Sequence, residues 1–160
     1  MVRVMSMNCG LLEESYATES HELDRATCLW LLLTAQVGRL VVLDPKAVAS
    51  VQYVVVGDAL IVRIGADSAA TGCPTDSPVT LDVDAFDVFS QVGWSVHVRG
   101  EIERIGGVDV DARSEVAGTR LSPWMGHPDG RWFRISPTYV SGHWFRPPER
   151  PRVFAPTGYL

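Results

Sequence analysis

The stretch RLVVLDPKAVASVQYVVVGDALIVRIG, residues 39–65, constrains the fold more than any other part of the chain. Its β-branched runs are cut at Asp44-Pro45-Lys46 and at Gly57-Asp58. Branched side chains suit a pleated, half-buried surface, and Gly-Asp pairs suit tight reversals. The pattern predicts three antiparallel strands, Leu40–Leu43, Val48–Val56 and Ala59–Ile64, the last two joined by a two-residue hairpin turn.

Period-two alternation returns in VTLDVDAF (79–86) and WSVHVRGEIERI (94–105), and Trp132–Ile135 with Tyr139–Phe145 supplies one or two last strands around Ser136-Pro137. Between them, GADSAATGCPTDSP (65–78) reads as a loop with at most one short helical turn, long enough to bind a ligand. Upstream, Leu23, Ala26, Leu29, Trp30 and Leu33 recur at helical spacing, which predicts a helix over 20–36 with Glu22 and Asp24 in its first turn and Gly38 beyond its end. A second, short helix is predicted over 109–118. About six short strands with few helices give a mainly β domain, and closure into an antiparallel barrel removes exposed edges. Residues 1–19 read as a loose N-terminal tail, 20–146 as the domain, and 147–160, with four prolines, as an extended C-terminal tail.

The charge balance narrows the partners. Nineteen acidic residues against fourteen basic ones leave a net −5, so neither a nucleic-acid backbone nor an anionic membrane is attracted to the molecule as a whole. Thirteen of the cations are Arg and the only lysine is Lys46, so a bound anion must be held by Arg, hydroxyls or backbone N–H groups. Cys9, Cys28 and Cys73 form no C-x-x-C pair and read as free thiols of a reducing compartment. With no signal-peptide core and no apolar run of transmembrane length, the expectation is a cytoplasmic protein.

No phosphate-loop, dinucleotide-binding, HExxH or nucleophile-elbow motif occurs. The histidines His21, His97, His127 and His143 lack metal-site spacing, and Asp82, Asp84 and Asp87 alternate with Leu81 and Val83 as a solvated strand face does, so no metal is expected. His97, mid-strand, is a candidate base, although a surface or structural imidazole is the commoner use of such a residue. What remains is Arg63 at a strand end, followed directly by Gly65-Ala66-Asp67-Ser68, where a guanidinium, a hydroxyl and backbone donors can hold a phosphate.

Five blocks, VGRLVV (37–42), SVQYVVVGDALIVRIG (50–65), TLDVDAFD (80–87), GWSVHVRGEIERI (93–105) and RWFRISPTYVSGHWF (131–145), taken in order, resemble the pyridoxamine 5′-phosphate oxidase-like flavoproteins, most of all the actinobacterial nitroimidazole-reductase-like members. The resemblance implies a six-stranded split barrel, a homodimer, and FMN bound in clefts between the subunits, with reduction or oxidation of a small organic molecule as the activity. It implies that Val51, Gln52 and Tyr53 line the isoalloxazine, that Arg63 and Ser68 meet the phosphate, and that Trp94 and Ser95 wall the cofactor, with Tyr53, Trp94, Trp124 and Trp132 as candidate walls of a substrate pocket; the catalytic residues stay unassigned. The family's loop pairs a Ser or Thr with a Lys two residues later. Here Ser68 is followed by Ala69 and Ala70, so the hydroxyl is kept and the cation is absent. Losing one charge-assisted contact costs about 1.5–3 kcal/mol, ten- to a hundredfold or more in affinity. The alternative is therefore a non-catalytic binding protein of the same fold that has lost tight FMN binding and holds another flavin, a deazaflavin or no cofactor. Oxidation of pyridoxamine phosphate itself would need a second basic cluster, which the chain lacks.

Overall fold

The computed structural model describes residues 19–106 and 129–146. Strand β1 (Glu19–Leu23) leads into helix α1 (Arg25–Leu32), and β2 (Val37–Val42), β3 (Ala47–Val56) and β4 (Ala59–Ile64) follow as an antiparallel meander. A single 3₁₀ turn (Ala69–Gly72) precedes the long strands β5 (Ser77–Asp87), β6 (Val92–Ile105) and β7 (Arg131–Arg146). The ring runs β2-β3-β4-β7-β6-β5 and returns to β2, with every pair antiparallel, so six strands close a barrel and β1 is added outside the ring.

The meander matches its expected strands to within a few residues at each end, and Ala59–Ile64 falls where the alternation placed it. Gly57, at φ +62°, supplies the left-handed conformation that the β3–β4 turn requires. Period-two patterning decides which side chains enter the barrel. Val51 and Tyr53 of β3, Leu60, Val62 and Ile64 of β4, and Phe133 and Ile135 of β7 are all buried in one core cluster. Tyr53 is 1% exposed, and its hydroxyl donates to the Leu32 carbonyl at 2.8 Å, which ties the helix to the barrel. Burial raises its pKa well above the ordinary phenol value, so this donor keeps its proton.

The N-terminal element departs from expectation. The helix covers only Arg25–Leu32, because residues 19–23 pair as a strand with Gly142–Arg146. The cause is the length of β7. Six-residue β4 pairs with Arg131–Ile135 alone, so the far end of β7 would present a bare edge on that side, and β1 covers it. Asp24 is therefore the helix cap and not a first-turn residue: its side chain accepts from the Thr27 N–H at 2.7 Å, which holds the carboxyl below its usual pKa. The buried face shifts with the start. Cys28 and Leu32 enter the core, while Trp30 and Leu33 are exposed. Cys28 and Cys73 are free thiols, as expected. The helix expected over 109–118 lies outside the described residues, as do Trp124 and Cys9.

At the other long pairing, β6 and β7 slip register between Arg99 and Gly100, with Thr138 as the extra residue, and of the one or two last strands expected there is one, running on through Ser136-Pro137. Gly100 faces this irregularity. A Cβ there would overlap the Ser136 carbonyl oxygen and lie 2.9 Å from Ile135 Cγ2. Gly100→Ala is expected to destabilise the protein by about 1–3 kcal/mol, the usual cost of overpacking, read as a lower urea midpoint with an unchanged m-value.

Candidate functional site

The strand-end Arg63 sits in a row of neighbours on the outer face of the barrel. In the sheet register Gln52 pairs with Val37 on one side and with Arg63 on the other, Arg63 pairs with Trp132, and Trp132 pairs with Ile105. The Arg63 guanidinium lies over the Trp132 ring, 5.2 Å from its centroid, so the cation is oriented by an aromatic face. Val54 and Ile61 make a small apolar cluster in the adjoining row, against which Val56, Ile105 and Trp132 pack. The result is an amide and a guanidinium set side by side in an apolar frame.

Gln52 is the informative member. It is 4% exposed, and its Nε2 has no hydrogen-bond partner among the described residues. A buried polar group left without a partner costs about 1–3 kcal/mol, so it is kept at a penalty unless a group beyond the described residues accepts from it. This orphaned donor beside a stacked arginine fits a ligand that carries acceptor atoms and negative charge. Gln52→Leu is therefore expected to leave the unliganded protein as stable or about 0.5–2 kcal/mol more stable, and thermal unfolding without ligand measures it.

Beyond Arg63, the loop turns tightly. Ser68 N donates to the Gly65 carbonyl at 3.0 Å. Ser68 Oγ accepts from Ala70 N at 3.3 Å, and Thr71 Oγ1 donates to the Ser68 carbonyl at 2.8 Å. Ser68 thus caps the 3₁₀ turn as an acceptor, which leaves its own O–H free to donate to an anion. Asp67 is exposed. Ala70, at the position where the resemblance places a lysine, is fully buried in the barrel core, so the missing cation is replaced here by packing.

The residues expected at the site divide by strand phase. Gln52, Arg63 and Ser95 point outward, whereas Val51 and Tyr53 turn their side chains into the core and Trp94 packs against it half-buried. Strands β2 and β5 lie between Gln52 and Ser95, with Val37 beside Gln52 and Asp84 beside Ser95. Three strand spacings of about 4.8 Å put the two residues about 14 Å apart around the outer face. The Arg39–Asp84 ion pair, 2.7 Å long and largely exposed, stands in that interval. A separate cleft of about 460 Å³, lined by Val41, Leu43, Pro78, Thr80, Arg99 and Glu101, contains neither Gln52 nor Arg63.

One constellation escaped the sequence reading. His97 Nδ1 lies 2.8 Å from Asp82 Oδ1, and Ser95 Oγ lies 3.1 Å from His97 Nε2. The i, i+2 spacing of Ser95 and His97 on a strand was a visible signal that they share a face, but only the β5–β6 register brings Asp82 opposite His97. The acidic alternation on β5 is likewise more engaged than a solvated face. Asp84 is ion-paired to Arg39, and Asp87 accepts from the N–H of Phe89 at 2.8 Å, which lowers its pKa. Among the described residues no group of three His, Cys, Asp or Glu side chains could hold a metal ion, and no helix is long and apolar enough to cross a membrane.

Comparison with known proteins bears on this geometry. No curated protein sequence matches the chain. Among solved structures, the FAD binding protein from Mycobacterium smegmatis superposes with a TM-score of 0.58 at 22% identity, covering 80% of this chain and 100% of its own. A FAD-binding protein from Mesorhizobium loti gives 0.64 at 21% identity, with 81% and 98% covered. The FAD and heme binding protein from M. smegmatis gives 0.55 at 16% identity, with 81% and 74% covered. At these identities the likeness establishes a shared fold. The sequence model described as pyridoxamine 5′-phosphate oxidase goes further, matching residues 24–144, from the helix cap to the end of β7, and so taking in every strand of the closed ring. The chain belongs to the pyridoxamine 5′-phosphate oxidase family.

Proposed function

We propose that this protein binds a flavin, FMN in first place, and uses it in the reduction or oxidation of a small organic molecule. The observation that carries the reading is the buried, unpartnered Gln52 Nε2 beside the Trp132-stacked Arg63, at the start of a hydroxyl-bearing loop. Family membership and the FAD-binding proteins that share the fold support it.

Bound flavin would supply hydride and electron transfer, which the chain's own side chains cannot perform. Each of the chain's groups has a narrower task. Arg63 would neutralise a phosphate by charge-assisted hydrogen bonds, and the Ser68 hydroxyl would add one donor there. Gln52 would donate to a ligand oxygen or nitrogen, satisfying its amide. The backbone of Val51 and Tyr53 could meet the cofactor, since their side chains are spent on the core. Residues 65–76 of this loop carry no Lys or Arg, so that Arg63 is the cation at its start, which favours the single phosphate of FMN over longer anionic tails.

We propose a homodimer with the flavin at its seam, cytoplasmic in location. Leu43 and Val48 near the start of β5 are each exposed by 67%, and Phe86 and Phe89 at its far end by 56% and 97%; a second copy is the occupant proposed for these apolar side chains. The test of the cofactor is a titration of the purified protein with FMN and, separately, FAD, followed by quenching of flavin fluorescence. Saturable quenching by FMN at micromolar concentration is expected, with weaker binding of FAD. Tighter binding of FAD reassigns the cofactor, and indifference to both favours the reading in which the cleft has lost flavin.

A further inference from the structure

Asp82, His97 and Ser95 form an ordered chain of hydrogen bonds on the outer face of β5 and β6, and its geometry has a chemical sense. An ionised carboxylate can only accept, so Asp82 fixes the neutral imidazole with its proton on Nδ1, at 2.8 Å. The Nε2 lone pair is then aimed at Ser95 Oγ, 3.1 Å away. The three groups stand in the order of the nucleophile, base and orienting carboxylate of a serine hydrolase, a constellation recognised by geometry and roles and not by chain order. The group is also open to solvent. The side chains of His97 and Asp82 are 45% and 27% exposed, and Ser95 is partly exposed. On the neighbouring strand His143, exposed, stands in register with Ser95, and paired Cβ atoms in such a register lie about 4.5–5.5 Å apart, within reach of an oxygen bound to the same carbon as Ser95 Oγ.

We propose that Ser95 is an activated nucleophile toward carboxylic esters with good leaving groups, with His97 as its general base, Asp82 as the positioning residue, and His143 as donor to the developing oxyanion. Ser95 Oγ forms a bond to the acyl carbon while its proton passes to His97 Nε2. The ester C–O bond breaks, and the same proton goes to the departing alkoxide. Water, deprotonated in turn by His97, attacks the acyl carbon, the acyl–Oγ bond breaks, and His97 returns that proton to Ser95 Oγ, so that ester and water become acid and alcohol with no change of oxidation state. Nothing in this sequence involves a flavin, so its test is independent of the flavin reading.

The experiment treats the full-length protein with an alkyl fluorophosphonate, which transfers its phosphonyl group to an activated serine with loss of fluoride, and maps the adduct by mass spectrometry. Hydrolysis of p-nitrophenyl acetate is followed in parallel. A single adduct on Ser95 is expected, absent in Ser95→Ala and slowed about 100-fold or more in His97→Ala, the usual worth of a positioned base. His97→Gln, which retains hydrogen-bonding capacity, serves if the alanine variant does not fold. Asp82→Asn should slow labelling comparably, and Asp82→Glu should recover part of it, which a purely structural role would not produce. No adduct on Ser95, or labelling of Ser95 that is indifferent to His97, overturns the proposal and leaves the trio a cross-strand hydrogen-bond chain. Flavin titration of the same sample keeps that failure separate from failure of the cofactor reading.

Discussion

Phe133→Ala is expected to cost the protein about 3–5 kcal/mol, the range found when a fully buried aromatic side chain is truncated. Phe133 is 1% exposed, lies in the main core cluster, and pairs in register with Val62 of β4 and Arg104 of β6. It therefore stands where the short β4 and the long β6 are both joined to β7, the seam on which closure of the ring depends. Against a total stability of about 5–15 kcal/mol, the loss takes about a fifth or more of what holds the domain together. The melting temperature should fall by about 6–20 °C, given ~2–4 °C per kcal/mol for a chain of this size. Differential scanning calorimetry measures it directly. A fall of only a degree or two would mean that the site collapses around the truncation, and that the barrel is not as tightly packed at this seam as its burial indicates.

Arg63→Ala should weaken FMN binding by about tenfold or more while leaving the barrel folded. The magnitude follows from one charge-assisted contact, about 1.5–3 kcal/mol. The fold should survive because Arg63 is only partly buried and points away from the core, with its guanidinium over the Trp132 ring. Arg63→Lys separates the causes. It keeps the charge but loses the planar fork and the stacking on Trp132, so its affinity should lie between those of the parent and the alanine variant. Raising the salt concentration should narrow the difference between parent and Arg63→Ala, since part of the contact is Coulombic and screened. Unchanged FMN affinity with an unchanged circular dichroism spectrum would remove Arg63 from the site.

Gln52 and Arg63 together illustrate a site that works against the stability of its own fold. The residues around them, Val54 and Ile61, form an apolar cluster in which a leucine at position 52 would be at home. A glutamine amide persists there with an unsatisfied donor. Stabilisation of the free protein by Gln52→Leu, combined with weaker flavin binding, would show that the amide is held for the ligand. Equal flavin affinity in parent and variant would assign the orphaned donor to some other partner.

The parts of the fold legible in the sequence are those fixed by local physics. The meander from Val37 to Ile64 could be read from period-two alternation and from Gly57-Asp58, because strand propensity and turn geometry act within a few residues. Arg63 could be picked out because a cation beside a hydroxyl-bearing loop is itself a local pattern, and the five-block resemblance then named the family that residues 24–144 match. Tertiary structure decided the rest. Residues 20–23 read as the start of a helix whose apolar spacing begins at Leu23, yet they became a strand because β7 outruns β4 and its exposed edge needed a partner. Burial of Ala70, which removed the loop's cation position from solvent, followed from packing of the 3₁₀ turn onto the core. The alignment of Asp82 with His97 and Ser95 was set by pairing between two strands, and a one-residue slip of that register would send the carboxylate to the opposite face. Sequence determined the strands of the closed ring and where a charge waits at a strand end; register and closure, which depend on residues far apart in the chain, made β1 a strand and decided which side chains meet.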